Sequence, residues 1–152
     1  MSGQNLQLTL ILVALVVGAF LPLQVGVNSK LADAVGSPIL SAFLSFCVGT
    51  ISLLAYILIT GQPLTNAVNA KNASPIAWIG GVLGAVYVAA SIILLPKLGV
   101  AMTLTLIIAG QLLMGIIMDH YGLLGVPVKA ISLGRLVGVV LVLLGVLLVR
   151  KY

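Results

Sequence analysis

Amide, phenol and hydroxyl side chains lie inside long apolar stretches of this sequence. Gln24 and Asn28 are four residues apart, a spacing that places two side chains on one face of a helix. Tyr87 and Ser91 repeat that spacing, and Gln111 follows a glycine in another apolar stretch. Because an unpartnered amide in hydrocarbon costs several kcal/mol, these groups either bind a polar molecule in a cavity between the first, third and fourth apolar stretches or make structural hydrogen bonds. The structural bonds would join helices at the two glutamines, cap a carbonyl at Tyr87 and stay within one helix at Ser91. Both interpretations stay open, and binding is favoured for the two glutamines.

An acidic residue and a histidine stand together where the fourth apolar stretch ends. Asp119 would oppose the macrodipole at a helix C-terminus, and His120 is of a type that titrates near neutral pH. The pair is therefore a candidate proton relay. The alternative is a contact with a loop or a basic residue at the membrane interface. Neither acid of the chain, Asp33 or Asp119, lies in the middle of an apolar stretch.

The sequence contains no catalytic or cofactor-binding pattern. It has no paired acids, no HExxH, no GxSxG and no glycine-rich phosphate loop beside a strand. A metal site with several ligands is not expected from one histidine and one cysteine. We therefore expect no enzyme, no metal and no cofactor.

The elements that position these side chains are membrane-spanning helices. Of the 152 residues, 62% are apolar and 6% are charged, whereas soluble domains carry about 25% charged residues. Since a spanning helix needs about 20 apolar residues, we predict an all-α integral membrane protein. A single domain over residues 1–152 is expected, with Ser37 capping the second helix and an exposed loop at 61–74. The five spans are predicted at about 6–33, 39–59, 76–95, 100–118 and 132–149.

The basic residues divide almost equally between the two sides of the membrane. Four lie on the C-terminal side and three on the other, although Lys and Arg in short loops normally set the orientation. A weak signal overridden by another feature is one explanation. The other is dual topology, in which the chain inserts both ways and pairs as an antiparallel homodimer of ten helices. No basic patch suggests nucleic-acid binding. The two groups are Lys30, Lys97, Arg150 and Lys151, and Lys71, Lys129 and Arg135.

Glycines on the fifth span are candidates for the dimer interface. Gly134 and Gly138 are four residues apart, and Gly145 follows one heptad later. Small residues at such spacing let membrane helices approach closely. Apart from them the span is almost entirely Leu and Val, so it offers little to a polar ligand.

Four stretches carry a resemblance to a known family. They are PLQVGVNSKLADAVGSPILSAFLSFCVGT from Pro22 to Thr50, GGVLGAVYV in the third span, AGQLLMGIIMDHYGLLG around Gln111, and the closing GRLVGVVLVLLGVLLV. They resemble the five-helix family called domain of unknown function 606, or YdcZ-like, in the drug/metabolite transporter superfamily. The resemblance implies a half-size transporter in the bacterial inner membrane, and the charge balance indicates the dual-topology form.

The resemblance also bears on the transported solute. The family is similar to the small multidrug resistance exporters, whose first helix carries a membrane-embedded Glu. This sequence has the amides Gln24 and Asn28 instead, so we expect a small neutral polar or weakly anionic solute moved by alternating access. A non-transporting assembly or regulatory subunit and a passive channel are the alternatives. The expected partners are a second copy of the chain, the solute and the lipid bilayer.

Overall fold

A computed structural model describes residues 3–151, with side chains from residue 4 onwards. Residues 1, 2 and 152 of the predicted domain lie outside the described residues. Within the described part, five helices are long and apolar enough to cross a membrane. The predicted all-α fold with five spans is thereby confirmed. The chain divides into two compact units, one up to Lys97 and one from Leu98 onwards.

The first unit contains α1 (Gly3–Val35), α2 (Pro38–Ile59) and nearly all of α3 (Ile79–Leu98). Two residues connect α1 to α2, and Ser37 caps α2 by accepting a hydrogen bond at Oγ from the Leu40 backbone N–H at 3.2 Å. Pro38 occupies the first turn, where its missing N–H costs nothing. The predicted start of the second helix is thus confirmed. The short connection lets α1 and α2 pack against each other.

Small and branched side chains form the core of the first unit. Ala32 of α1 and Ala42 of α2 pack with Val88 and Ile92 of α3. These residues are all less than a tenth exposed, so this cluster holds the three helices together. The stretch of α1 from Gln4 to Phe20 is exposed along its whole length.

The polar stretch between α2 and α3 is more regular than expected. The predicted loop at 61–74 contains a 3-10 helix at Leu64–Asn72, and another 3-10 turn at Pro75–Trp78 precedes α3. Its turns close through i to i+3 hydrogen bonds, such as the 3.1 Å bond from the Asn66 N–H to the Pro63 carbonyl. The segment is exposed as predicted, apart from half-buried Ala70, and part of the predicted loop is helical.

The third and fourth helices each run three residues past their predicted ends. Pro96 lies inside the last turn of α3, which continues to Leu98 instead of stopping at 95. A proline inside a helix lacks its own hydrogen bond to the preceding turn, and its ring crowds the carbonyl four residues earlier, yet this helix ends only at Gly99, whose φ is +78°. The fourth helix likewise continues past 118 to Tyr121.

The second unit is a helical hairpin of α4 (Val100–Tyr121) and α5 (Leu133–Lys151). The chain leaves α4 at Gly122, which has the left-handed φ of +61°. A Cβ at this position would lie 2.8 Å from the Val128 Cγ2 atom, so both the backbone angle and the close packing require glycine. Val139 and Val146 of α5 are buried, and α5 packs against α4.

Candidate functional site

The first unit buries one predicted binding residue with an unsatisfied amide. Asn28 is 5% exposed, and its Nδ2 atom has no hydrogen-bond partner among the described residues. The backbone at this position is fixed from α2, because the Ser41 Oγ donates a buried hydrogen bond of 2.6 Å to the Asn28 carbonyl. A buried amide donor without a partner is costly, so Asn28 carries unused hydrogen-bonding capacity.

Tyr87 and Ser91 of α3 differ in what their hydroxyl groups do. The Ser91 Oγ donates a hydrogen bond of 2.7 Å to the Tyr87 carbonyl. This is the bond within one helix that was the alternative to solute binding for Ser91. The Tyr87 side chain packs against the core cluster, and its hydroxyl is buried without a partner among the described residues. Of this pair, Tyr87 therefore has the free polar group.

Gln24 lies on the surface of the first unit. It is exposed and lines a groove of about 220 Å³ with residues of α2. The groove residues are Gln24, Ser45, Phe46, Gly49, Thr50 and Leu53. Gln24 and Asn28 are one helical turn apart, so an exposed amide and a buried amide follow each other along α1.

Gln111 lines a groove of the second unit, between α4 and α5. The groove has a volume of about 550 Å³. Its polar side chains are Gln111, Asp119 and Arg135. Two glycines, Gly115 and Gly138, also line the groove and place no side chain in it. Leu112, Ile116, Val139 and Val142 form the apolar remainder.

Asp119 and His120 form hydrogen bonds with the segment that connects α4 to α5. The Asp119 Oδ2 atom lies 3.1 Å from the Arg135 Nη1 atom, and its backbone carbonyl accepts a 2.8 Å hydrogen bond from the Lys129 N–H. The Nδ1 atom of His120 accepts a hydrogen bond from the Ile131 N–H at 3.4 Å. The structure therefore contains the contacts that the simpler interpretation predicts, with a loop and with a basic residue. A role in proton coupling stays a prediction.

The three glycines predicted at the dimer interface occupy different surroundings. Gly138 lines the groove with Gln111. A Cβ built at Gly134, Gly138 or Gly145 meets no heavy atom within 4 Å, so there is open space beside each of them. Their part in a dimer stays a prediction.

The predicted binding residues fall in both compact units. Gln24, Asn28, Tyr87 and Ser91 belong to the first unit, whereas Gln111, Asp119 and His120 belong to the second. The cavity predicted between the first, third and fourth spans stays a prediction.

Sequence reasoning missed two residues. Ser41 was not singled out, and Arg135 was counted only among the loop charges. The sequence signal for Arg135 was its position inside the first turn of an apolar helix, where a cation needs a partner.

The fold and the grooves define a multi-pass helical membrane protein with amide-lined surface grooves. The chain belongs to the YdcZ family: a family model described as "Putative inner membrane exporter, YdcZ" matches residues 9–148. The predicted family is thereby confirmed, and with five apolar helices the protein is a multi-pass inner membrane protein. Exporters are not an enzyme class. Searches of curated proteins and of solved structures found no match.

Proposed function

We propose that this protein is a secondary transporter that moves a small neutral polar or weakly anionic solute across the bacterial inner membrane. Two protomers inserted in opposite orientations form an antiparallel homodimer, and their polar faces form one central binding site. Alternating access opens that site to each side of the membrane in turn. Membership of an exporter family supports transport.

The exposed amides carry this proposal. Gln24 and Gln111 are both exposed on the surface of the chain, within spans of high hydropathy. An amide facing lipid would cost several kcal/mol. A partner protomer that covers these groups, and a polar solute that bonds to them, together remove that cost.

Low burial also favours a partner. In the most apolar window of each span, only 6% to 17% of the residues are buried within the chain. A polar pathway must be walled off from lipid on every side, so low burial within one chain favours a partner that contributes further helices. A second copy doubles the number of helices to ten.

The near-equal loop charges support the antiparallel arrangement. Four basic residues on one side and three on the other give the insertion machinery almost no preference. Two copies of opposite orientation would be related by an axis in the membrane plane, the symmetry of many transporters built from inverted repeats. The symmetry of such a dimer makes two states equivalent, one open to each side of the membrane. Exchange between these two states is alternating access.

Flux into liposomes tests the proposal. Purified protein is reconstituted, and uptake of radiolabelled small polar solutes, neutral and anionic, is measured against preloaded unlabelled solute. We expect saturable uptake of one or more solutes, reduced at least about tenfold by Gln24→Ala or Gln111→Ala because each removes hydrogen bonds to the solute. Gln62→Ala, which alters an exposed glutamine beyond the end of α2, is the matched control and keeps wild-type uptake.

Three results would overturn the proposal. Absence of flux together with stable co-purification of another membrane protein would indicate an assembly or regulatory subunit. Flux that does not saturate would indicate a channel. Saturable uptake unaffected by either alanine variant would refute the assignment of the binding residues.

A further inference from the structure

The groove between α4 and α5 presents a cation that the proposed site did not include. The guanidinium of Arg135 makes two contacts with described residues, and both use Nη1: 3.1 Å to the Asp119 Oδ2 atom and 3.2 Å to the Lys129 carbonyl. Its Nε and Nη2 atoms have no hydrogen-bond partner among these residues. Arginine presents its donors as a planar fork that fits both oxygens of a carboxylate. In this arrangement most of the fork is unused.

The groove has a polar end and an apolar middle. Gln111, Gly115 and Asp119 follow one another at four-residue spacing on α4, so Gln111 lies two turns, roughly 12 Å, from Asp119 along the helix. Across the groove, Arg135 and Gly138 lie one turn apart on α5. The two glycines leave room between the charged end and the amide, which suits a small molecule with an anionic group at one end.

The ion pair at this end is weak enough to exchange. The side chains of Arg135 and Asp119 are 30% and 37% exposed, and such half-exposed pairs contribute only about 0 to 1 kcal/mol. Arg135 is the one cation and Asp119 the one carboxylate among the residues that line the groove.

We propose that Arg135 is a recognition residue for an oxyanion, such as a carboxylate, which replaces Asp119 as the partner of its guanidinium. The anion binds at the charged end of the groove, its apolar portion lies against the bare glycine walls, and Gln111 bonds to any polar group at its far end. This inference rests on the proposed function and narrows the solute to an anion. A lipid headgroup offers the same oxyanion chemistry, so the experiment separates the two sources.

Thermal unfolding with matched acid and amide probes tests this proposal. Protein in phosphatidylcholine nanodiscs is titrated with sodium lactate or benzoate, or with lactamide or benzamide, at constant ionic strength. We expect each acid to raise the unfolding temperature and each amide to leave it unchanged. Arg135→Gln raises the half-saturating acid concentration about tenfold or more because it removes charge-assisted hydrogen bonds. Arg150→Gln, which removes the other arginine of α5 outside the groove, leaves it unchanged.

Asp119→Asn separates recognition from a purely structural ion pair. Removing the competing carboxylate is expected to lower the half-saturating acid concentration about two- to fivefold, the opposite of the change in Arg135→Gln. If the ion pair is purely structural, Asp119→Asn and Arg135→Gln will respond to acid equally. If Arg135→Gln does not fold, Asp119→Asn and Arg135→Lys, which keeps the charge without the fork, still decide the question.

A second nanodisc composition distinguishes a lipid headgroup from a solute as the source of the oxyanion. If lipid supplies it, replacing part of the phosphatidylcholine with phosphatidylglycerol stabilises the wild type but not Arg135→Gln, and weakens the acid response. If a solute supplies it, the anionic lipid changes neither. Equal responses to acid and amide, or an Arg135→Gln protein that responds to acid at the wild-type half-saturating concentration, would overturn the proposal. Because binding is measured without flux, acid binding with no transport would refute only the proposed function.

Discussion

The Ser41 Oγ donates a hydrogen bond of 2.6 Å to the backbone carbonyl of Asn28, across the interface between α1 and α2. Ser41 is fully buried, and the side-chain amide of Asn28 is left without a partner among the described residues. The bond therefore fixes the turn of α1 that carries the unsatisfied amide. Ser41 is in this sense a positioning residue for Asn28.

Ser41→Ala is expected to lower the free energy of unfolding by about 1 kcal/mol, the usual net contribution of one hydrogen bond. Ser52→Ala is the matched control, because the exposed Ser52 Oγ bonds only to the Val48 carbonyl of its own helix, and its loss should change stability little. Denaturant unfolding in detergent measures both. Equal destabilisation by the two substitutions would show that the bond to Asn28 has no special role.

Tyr87→Phe should separate binding from stability. The substitution removes a buried hydroxyl that has no partner among the described residues, so we expect the unfolding temperature to stay the same or rise. Affinity for the transported solute should fall, by about fivefold for a loss near 1 kcal/mol. Tyr56→Phe, at an exposed position of α2, is the control. Strong destabilisation with unchanged affinity would mean that the hydroxyl has a structural partner instead.

Gly145→Leu tests the predicted dimer interface. Space is open beside Gly145 within the protomer, so leucine should leave the single chain folded while preventing close approach of a second copy. We expect the dimer dissociation constant in detergent to rise at least about tenfold, as measured by light scattering. Val140→Leu enlarges an exposed residue on another face of α5, and its dimer should persist. An intact Gly145→Leu dimer would contradict the assignment of this helix.

Hydropathy and local capping signals predicted the framework because both act over short distances in sequence. Long apolar runs defined five spans, and the Ser37–Pro38 pair located the start of α2. The end of α3 was missed because Pro96 was read as a stop, whereas the helix continues through it to Leu98. Such errors concern single turns and leave the arrangement of spans unchanged.

Contacts between distant residues were beyond this kind of reasoning. Asp119 and Arg135 are 16 residues apart, and their pairing depends on how the connection after Gly122 folds back. The spacing of Gln24 and Asn28 placed both on one face of α1, but only the structure distinguishes the exposed amide from the buried one. Periodicity gives the face of a helix, whereas burial depends on what packs against it.

The central claim is that one chain inserts in both orientations to form the transporting dimer. C-terminal fusions to alkaline phosphatase, which is active only outside the cytoplasm, and to green fluorescent protein, which fluoresces only inside it, test the claim directly. We predict that both reporters are active, and that Lys71→Gln, by leaving four basic residues against two, shifts the signal towards a cytoplasmic C-terminus. Activity of one reporter alone in the wild-type chain would contradict the antiparallel homodimer.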